Sequence, residues 1–451
     1  MGGYPAEGLW QNPAMVSDLD IRAIARALAP LAEHEGDEVD AYLESVETLE
    51  LPAEGEPPGI RVRREDGLAV RLGRADRTWT ASRDGIGAEE LGEALRQVAR
   101  SRAGATPPLP DLRATGQELS TADRQAVLQF PTRLQRALRE RRVAFPLRLT
   151  VRCHLREVLV IGARIGAPLQ RERYFSVTVA TPWGDCGTLT LSLGPGTADE
   201  LAERLVARFR FRDAPIPAPG PRAIVLGSAA VAVLLHEAVA HALEADTLAC
   251  TGPPEAAFGV ELGAPCLSVL DDPAAAGEGA ARTADDEGAP TVKRWLLREG
   301  VVEQVLADRR WASRSDRLAP GAGWRSSRHD AVTPRSRYLQ LLPGEGTLED
   351  LAAAVGEGLF LPEADRGRLD PWSGRFVLRF PGGRQIAAGR LADPVGSCFL
   401  EAPVANLLAA VHVVGGMAVP GGAGWCAKGG RRLPVFASCP PIVVAGVEIH
   451  S

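Results

Sequence analysis

The stretch Ala223–Leu235 is the longest apolar run in the chain, and it ends without a break in His236-Glu237-Ala238-Val239-Ala240-His241. Such a run has to be buried, so the core of this part of the chain must form around it. It is too short to cross a bilayer, which takes about 20 residues as a helix. At its end it carries a carboxylate and two imidazoles into that core, where an unpaired carboxylate is costly unless a cation or proton stands beside it. The run reads as one apolar helix, or as a strand leading into a helix, that delivers polar groups to an interior site.

Histidines four apart on a helix lie about 40° from each other and reach one zinc, as in HExxH. His236 and His241 are five apart, which on a regular α-helix is roughly 140° and sends the rings in different directions. A single π-type turn would bring them back to one face, and Ala238, Val239 and Ala240 are small or compact enough to allow it. From the spacing alone, a metal site and a chance string both stand open. Catalytic zinc needs three protein ligands and one free vertex. Beyond the two histidines, the candidates are Glu244, Asp246 and Cys250 nearby, and Cys426 in the glycine-rich GGAGWCAKGG at 421–430.

The rest of the chain sorts into three stretches. Residues 18–104 read as a small α+β unit. Its first helix spans 18–33 with Ser17 or Asp18 as cap, strands follow at 39–51, 59–64, 68–72 and 78–82, and a second helix covers 88–99. A proline-rich linker at 105–110 closes it. Residues 111–214 read as a second α+β unit, with helices at 122–138 and 198–209 and strands at 147–153, 157–162, 174–181 and 188–193. PIPAPGPR, 215–222, is a stiff connector and marks a boundary. Residues 221–451 then form a mostly antiparallel β domain, sheet or barrel, that carries the HExxxH helix. The fold class is α+β.

With 451 residues and a formal net charge of -6, the chain has no global electrostatic pull toward nucleic acid or anionic lipid. The basic tract 133–142 has its apolar residues at helical spacing and reads as a solvated helix face. Seven cysteines without a CxxC pair do not make a disulfide framework, and the first residues lack a secretory pattern. Both point to the cytoplasm. Asp285, Asp286 and Glu287 read as a solvated acidic hairpin.

LLHEAVAHALEAD, residues 234–246, resembles the signature of the TldD/PmbA family, zinc-dependent peptidases once described as modulators of DNA gyrase. Within it the chain is similar to the TldD branch, which keeps the HExxxH string. The segments GLAVRLGRADRTWTASRDG (67–85), ADDEGAPT (284–291) and GWCAKGGRRLPV (424–435) are similar to family segments in the same order. The resemblance implies a zinc metallopeptidase with His236, His241 and Cys426 as ligands and Glu237 as the catalytic carboxylate. It also implies unfolded or extended peptides as substrates, and assembly with a PmbA/TldE-like subunit in a heterodimer, a homodimer being the other arrangement. Ala240 and Ala242 stand where glycine is common in the family, and Cys439 where glutamine is usual. The alternative from another class is a non-catalytic zinc-containing regulator of gyrase or of a toxin–antitoxin pair. Glu237 speaks against it, because a purely structural zinc has no use for a carboxylate beside its ligand.

Overall fold

The computed structural model describes residues 21–32, 37–51, 60–74, 77–100, 119–162, 169–277, 279–420 and 424–451. The expected cap at Ser17 or Asp18, the proline-rich linker and Gly421–Ala423 of the glycine-rich loop lie outside them. Helices and antiparallel strands combine in an α+β fold. The first part runs α1 (Ile21–Leu28), β1 (Glu38–Leu51), β2 (Arg61–Arg74), β3 (Arg77–Asp84) and α2 (Ala88–Arg100). The same helix–three strands–helix order returns in α3 (Thr121–Glu140), β4 (Arg148–Gly162), β5 (Gln170–Thr181), β6 (Gly184–Thr190) and α4 (Pro195–Arg212). The six strands form one antiparallel sheet, β3-β2-β1-β4-β5-β6, in which β1 pairs with β4 and joins the two sets.

Several strands are longer than the sequence suggests. The two segments expected at 59–64 and 68–72 are one strand, β2, and those at 147–153 and 157–162 are one strand, β4. Charged residues between the apolar runs look like breaks. In β4 the intervening His154 and Arg156 turn to the second face, and in β2 Glu65 and Asp66 turn to opposite faces, while the backbone pairing with β1 runs on through both. Val39, Ala41 and Leu43 of β1 pack under α1 and α2, and Leu49 and Leu51 of the same strand under α3 and α4. Both helix pairs therefore cover one face. The other face carries Asp40 and Glu44 of β1, Arg71 of β2, Arg156 of β4 and Glu172 of β5, all buried.

What buries them is the C-terminal part. Glu172 accepts from Arg156 (3.1 Å), from Arg282 (3.0 Å) and from Arg337. Asp286 accepts from Arg282 (2.8 Å) and from the Arg325 amide (2.9 Å), and Arg71 pairs with Asp40 (2.6 Å) and Glu287 (3.2 Å). Asp285 accepts the amides of Glu287, Ala289 and Gly323. This corrects the solvated hairpin expected at 285–287. These acids are fully buried, because guanidinium groups and backbone amides replace the water they would otherwise require.

The C-terminal part opens with β7 (Gly220–Leu226), which starts within the proline-rich stretch expected as a connector, and continues through Gly227 into α5 (Ser228–Leu235). The apolar run is thus a strand leading into a helix. A Cβ at Gly227 would sit 2.6 Å from the Pro362 carbonyl, so only glycine lets the chain turn there. β7 lies inside a nine-stranded sheet, antiparallel to Ile442–His450 and parallel to Gly358–Leu361. A seven-stranded sheet stands opposite, with Tyr338–Leu341 parallel to Arg431–Cys439 and its other pairs antiparallel. Apolar residues of both sheets and of α5 form one core, which includes Leu226, Leu235, Leu297, Leu339 and Leu400. No helix among the described residues is long and apolar enough to cross a membrane.

Glu172→Gln leaves three buried guanidiniums facing a neutral side chain and is expected to cost about 3–5 kcal/mol, read by urea denaturation. Burial works against ionisation of Asp286, but Arg156 and Arg282 outweigh it and hold the acid at about 2, below the ordinary 3.8. Its contribution to stability is therefore present above pH ~4 and lost as pH falls toward 2. Asp286→Asn should lower the melting temperature at pH 7 and narrow the gap to wild type at pH 2.5.

Candidate metal centre

At the end of α5 the helix widens. Residues His236–Ala240 form a π-turn in which the His241 amide donates to the His236 carbonyl, five residues back. A 3₁₀ turn, His241–Leu243, follows, and Glu244 is already extended (φ -77°, ψ 132°). Ala240, where the family commonly has glycine, sits in the ordinary right-handed region (φ -64°, ψ -54°). The turn needs no glycine backbone. One extra residue per turn returns the second histidine to the face of the first, and the ring centroids stand 4.6 Å apart.

Each imidazole is held at Nδ1. His241 Nδ1 bonds Glu244 Oε2 at 2.9 Å, and His236 Nδ1 meets the Ser336 hydroxyl at 3.4 Å. When Nδ1 carries the proton, both Nε2 lone pairs are left as donors, which is how histidine is usually oriented toward a metal. The third group comes from the strand Gly424–Lys428, whose Cys426 Sγ lies 3.3 Å from His241 Nε2. Donor atoms of His236, His241 and Cys426 all lie within 4.8 Å of one another. Around one tetrahedral zinc, such donors stand roughly 3.3–3.8 Å apart. Burial resists ionisation of Cys426, but the two imidazoles in their protonated form outweigh it and bring the thiol to about 5, so positive charge at this place readily displaces its proton. His236 Nε2 is buried and has no hydrogen-bond partner. An orphaned nitrogen facing a cysteine sulfur and a second imidazole suits a soft-to-borderline divalent cation such as zinc.

The hairpin that presents Cys426 is legible in its sequence. Gly429 and Gly430 both have positive φ (59° and 77°), and Lys428 pairs with Arg431, as a two-residue type I′ turn requires. Lys428 then reaches back to Glu244 (2.5 Å) and Asp246 (2.7 Å). Of the other third-ligand candidates, Glu244 braces His241, Asp246 pairs with Lys428, and Cys250 donates to the Asp246 carbonyl. Cys439 is buried in the apolar core and lies outside the donor group.

Glu237 projects beside His236 into a cleft of about 1820 Å³. Burial pushes its carboxyl up, against the pull of His241 and His236. The strand Arg366–Leu369 passes over it at Gly367, where a Cβ would lie 2.6 Å from Glu237 Cγ. Across the cleft stand Thr188, Leu189 and Thr190 of β6, an edge strand. Sequence reasoning missed Gly367, Arg335, Ser336 and the role of Lys428. A lone glycine or serine carries no motif, and only the KGGR turn hinted that Lys428 lies near a bend.

Residues 219–451 match the family model of the PmbA/TldA metallopeptidase C-terminal domain. The Haemophilus influenzae protein named Metalloprotease TldD homolog is 28% identical over 232 residues, which cover 50% of this chain and 47% of that protein. The Saccharolobus solfataricus protein named Zinc metalloprotease TldD homolog is 22% identical over 237 residues, 52% of each. The chain therefore spans about half the length of the relatives it matches. The crystal structure of TldE from Thermococcus kodakarensis has the same fold, with a TM-score of 0.72 at 17% identity over 92% of this chain and 96% of that one.

Gly367→Ala is expected to displace the Glu237 side chain and cost about 1–3 kcal/mol of stability through overpacking. Bound metal, read by elemental analysis, should stay at the wild-type level because no donor atom touches Gly367. Matching more than half of its length to the family model, and sharing the fold throughout, the chain belongs to the PmbA/TldD family.

Proposed function

We propose that this chain is a zinc-dependent peptidase that hydrolyses unfolded or extended peptides. The observation that carries the reading is the convergence of two imidazole Nε2 atoms and a cysteine sulfur beside an unpaired carboxylate in an open cleft. His236, His241 and Cys426 would hold the ion, and three ligands leave a vertex for water or substrate. When bound, zinc supplies Lewis acidity, both toward a water molecule and toward a peptide carbonyl. Glu237 follows His236 directly and lines the same cleft, where it accepts a proton from the attacking water and returns it to the leaving amine. Burial, which raises its carboxyl, strengthens it as the proton acceptor. Glu244 and Ser336 keep the two rings aimed.

The cleft wall supports an extended substrate. Among the described residues β6 pairs as a strand with β5 alone, and a peptide main chain added along the part of its other edge that lines the cleft, Thr188–Thr190, gives breadth in side chains and exclusion of folded proteins. This suits leader removal from precursor peptides or degradation of labile small proteins. The fold relation to a TldE supports assembly with a PmbA/TldE-like subunit into a heterodimer, with a homodimer as the other arrangement.

Purified protein, alone and with such a subunit, should cleave casein and unstructured peptides, spare folded proteins, and lose activity with a chelator. Glu237→Gln should lower kcat at least 1,000-fold with zinc content unchanged; cleavage at the wild-type rate would refute its role. Cys426→Ser should lose the metal, read by elemental analysis after dialysis.

A further inference from the structure

One short segment touches two of the three donors, Cys426 and His236. Arg335, Ser336 and Arg337 follow the strand Thr333–Pro334 and alternate in direction. Arg335 donates from Nη1 to Cys426 Sγ (2.9 Å) and from Nη2 to the Lys428 carbonyl (3.0 Å). Ser336 faces the other way and meets His236 Nδ1. Arg337 donates to the Pro434 carbonyl (2.8 Å), on the strand that pairs with the Cys426 strand, and to Glu172 of the N-terminal sheet. Arg335 and Arg337 are fully buried.

The need for such an anchor follows from the sheet. Gly424–Lys428 pairs with Arg431–Cys439 and with no other strand among the described residues. Beyond that pairing, the described residues tie it through a glycine-glycine turn at one end and through Trp425, which packs edge-on against His154 and Tyr174. A hairpin arm held along one edge can twist about that edge, and a twist that moves Sγ by 1 Å removes it from a coordination sphere defined to a few tenths of an ångström. Two side-chain clasps resist the twist. Arg335 grips the arm at the sulfur and again two residues on, and Lys428 ties it to Glu244 and Asp246 just past the histidine helix. Glu244 is also the group that orients His241, so one carboxylate is shared by the ring of one ligand and the arm of another.

We propose that Arg335 is the positioning residue of the candidate metal centre, bridging the Cys426 sulfur and its strand so that the sulfur meets the two histidines before any ion arrives, with Lys428 as the second clasp. The inference rests on the zinc-peptidase reading. The planar guanidinium is suited to the task because it presents two donors in a fixed fork, one to sulfur and one to the carbonyl. An ammonium at the same place would reach one acceptor at a time.

The test measures zinc affinity by competition with a chromogenic chelator, and the sulfur–cobalt charge-transfer band of cobalt(II)-loaded protein, for the full chain and for Arg335→Met, Arg335→Lys and Lys428→Met. Groups that orient ligands are usually worth about 10–100-fold in affinity. Arg335→Met should weaken zinc by that factor and diminish the sulfur–cobalt band. Arg335→Lys, which keeps the charge and one donor, should lose less than tenfold and retain the band. Lys428→Met should weaken zinc with the band retained, and it keeps the inference testable if Arg335→Met does not fold, as judged by circular dichroism. Wild-type affinity in either methionine variant would overturn the inference for that residue, and equal losses in Arg335→Lys and Arg335→Met would reduce Arg335 to packing. Wild-type protein that takes up neither metal overturns the metal reading together with the positioning role. Wild-type protein that binds zinc through sulfur but cleaves no peptide refutes the peptidase reading alone.

Discussion

A single hydrogen bond brings the two imidazoles of the candidate metal centre together. The His241 amide reaches the His236 carbonyl five residues back, and that choice over the ordinary four-residue bond turns two diverging imidazoles into a pair. Backbone energetics alone disfavour it, since π-turns are rare. Packing and side-chain chemistry make up the difference. Ala238, Val239 and Ala240 are fully buried in the common core of the two C-terminal sheets, and the oxygens of Glu244 and Ser336 hold the rings. The third donor, from a hairpin more than 180 residues away in the chain, then finds a fixed target.

The two parts of the molecule meet through a charged network, with a smaller apolar cluster of Tyr174, Leu189, Ala276, Ala280 and Phe436 beside it. The N-terminal sheet turns its apolar face to its own helices and its polar face to the C-terminal part, where Arg156, Glu172, Arg282, Asp286 and Arg337 form one connected network. Such a junction adds little net stability compared with an apolar one, but it tolerates few misalignments, because every unpaired charge is expensive. It therefore sets where the edge strand β6 stands relative to Glu237, and with it the width of the cleft. Arg337 belongs both to that network and to the segment that anchors the donor set.

Much of this was legible in the residues. Periodicity found the helices α1 to α4, and the apolar run before His236 announced the buried helix. The family resemblance named His236, His241, Cys426 and Glu237 as the expected site residues. A buried polar face has the same alternation as a solvated one, so β4 looked interrupted and Asp285–Glu287 looked wet. The charges of β2 at 61–66 are exposed or half-buried, and there the pairing with β1 carries the strand through. Local sequence states which residues are polar; it does not state whether their partner is water or an arginine from a distant segment.

The sequence by itself determined the α+β class, the buried apolar run that leads into His236 and the two histidines and carboxylate at its end, because periodicity and side-chain type are local properties. Only the tertiary structure decided that Gly367 makes room for Glu237, that Arg335 and Lys428 clasp the Cys426 strand, and that two α+β stretches share one sheet. Those outcomes depend on contacts between segments tens to hundreds of residues apart. Their free energy arises only when both segments are folded against each other, so neither segment records it alone.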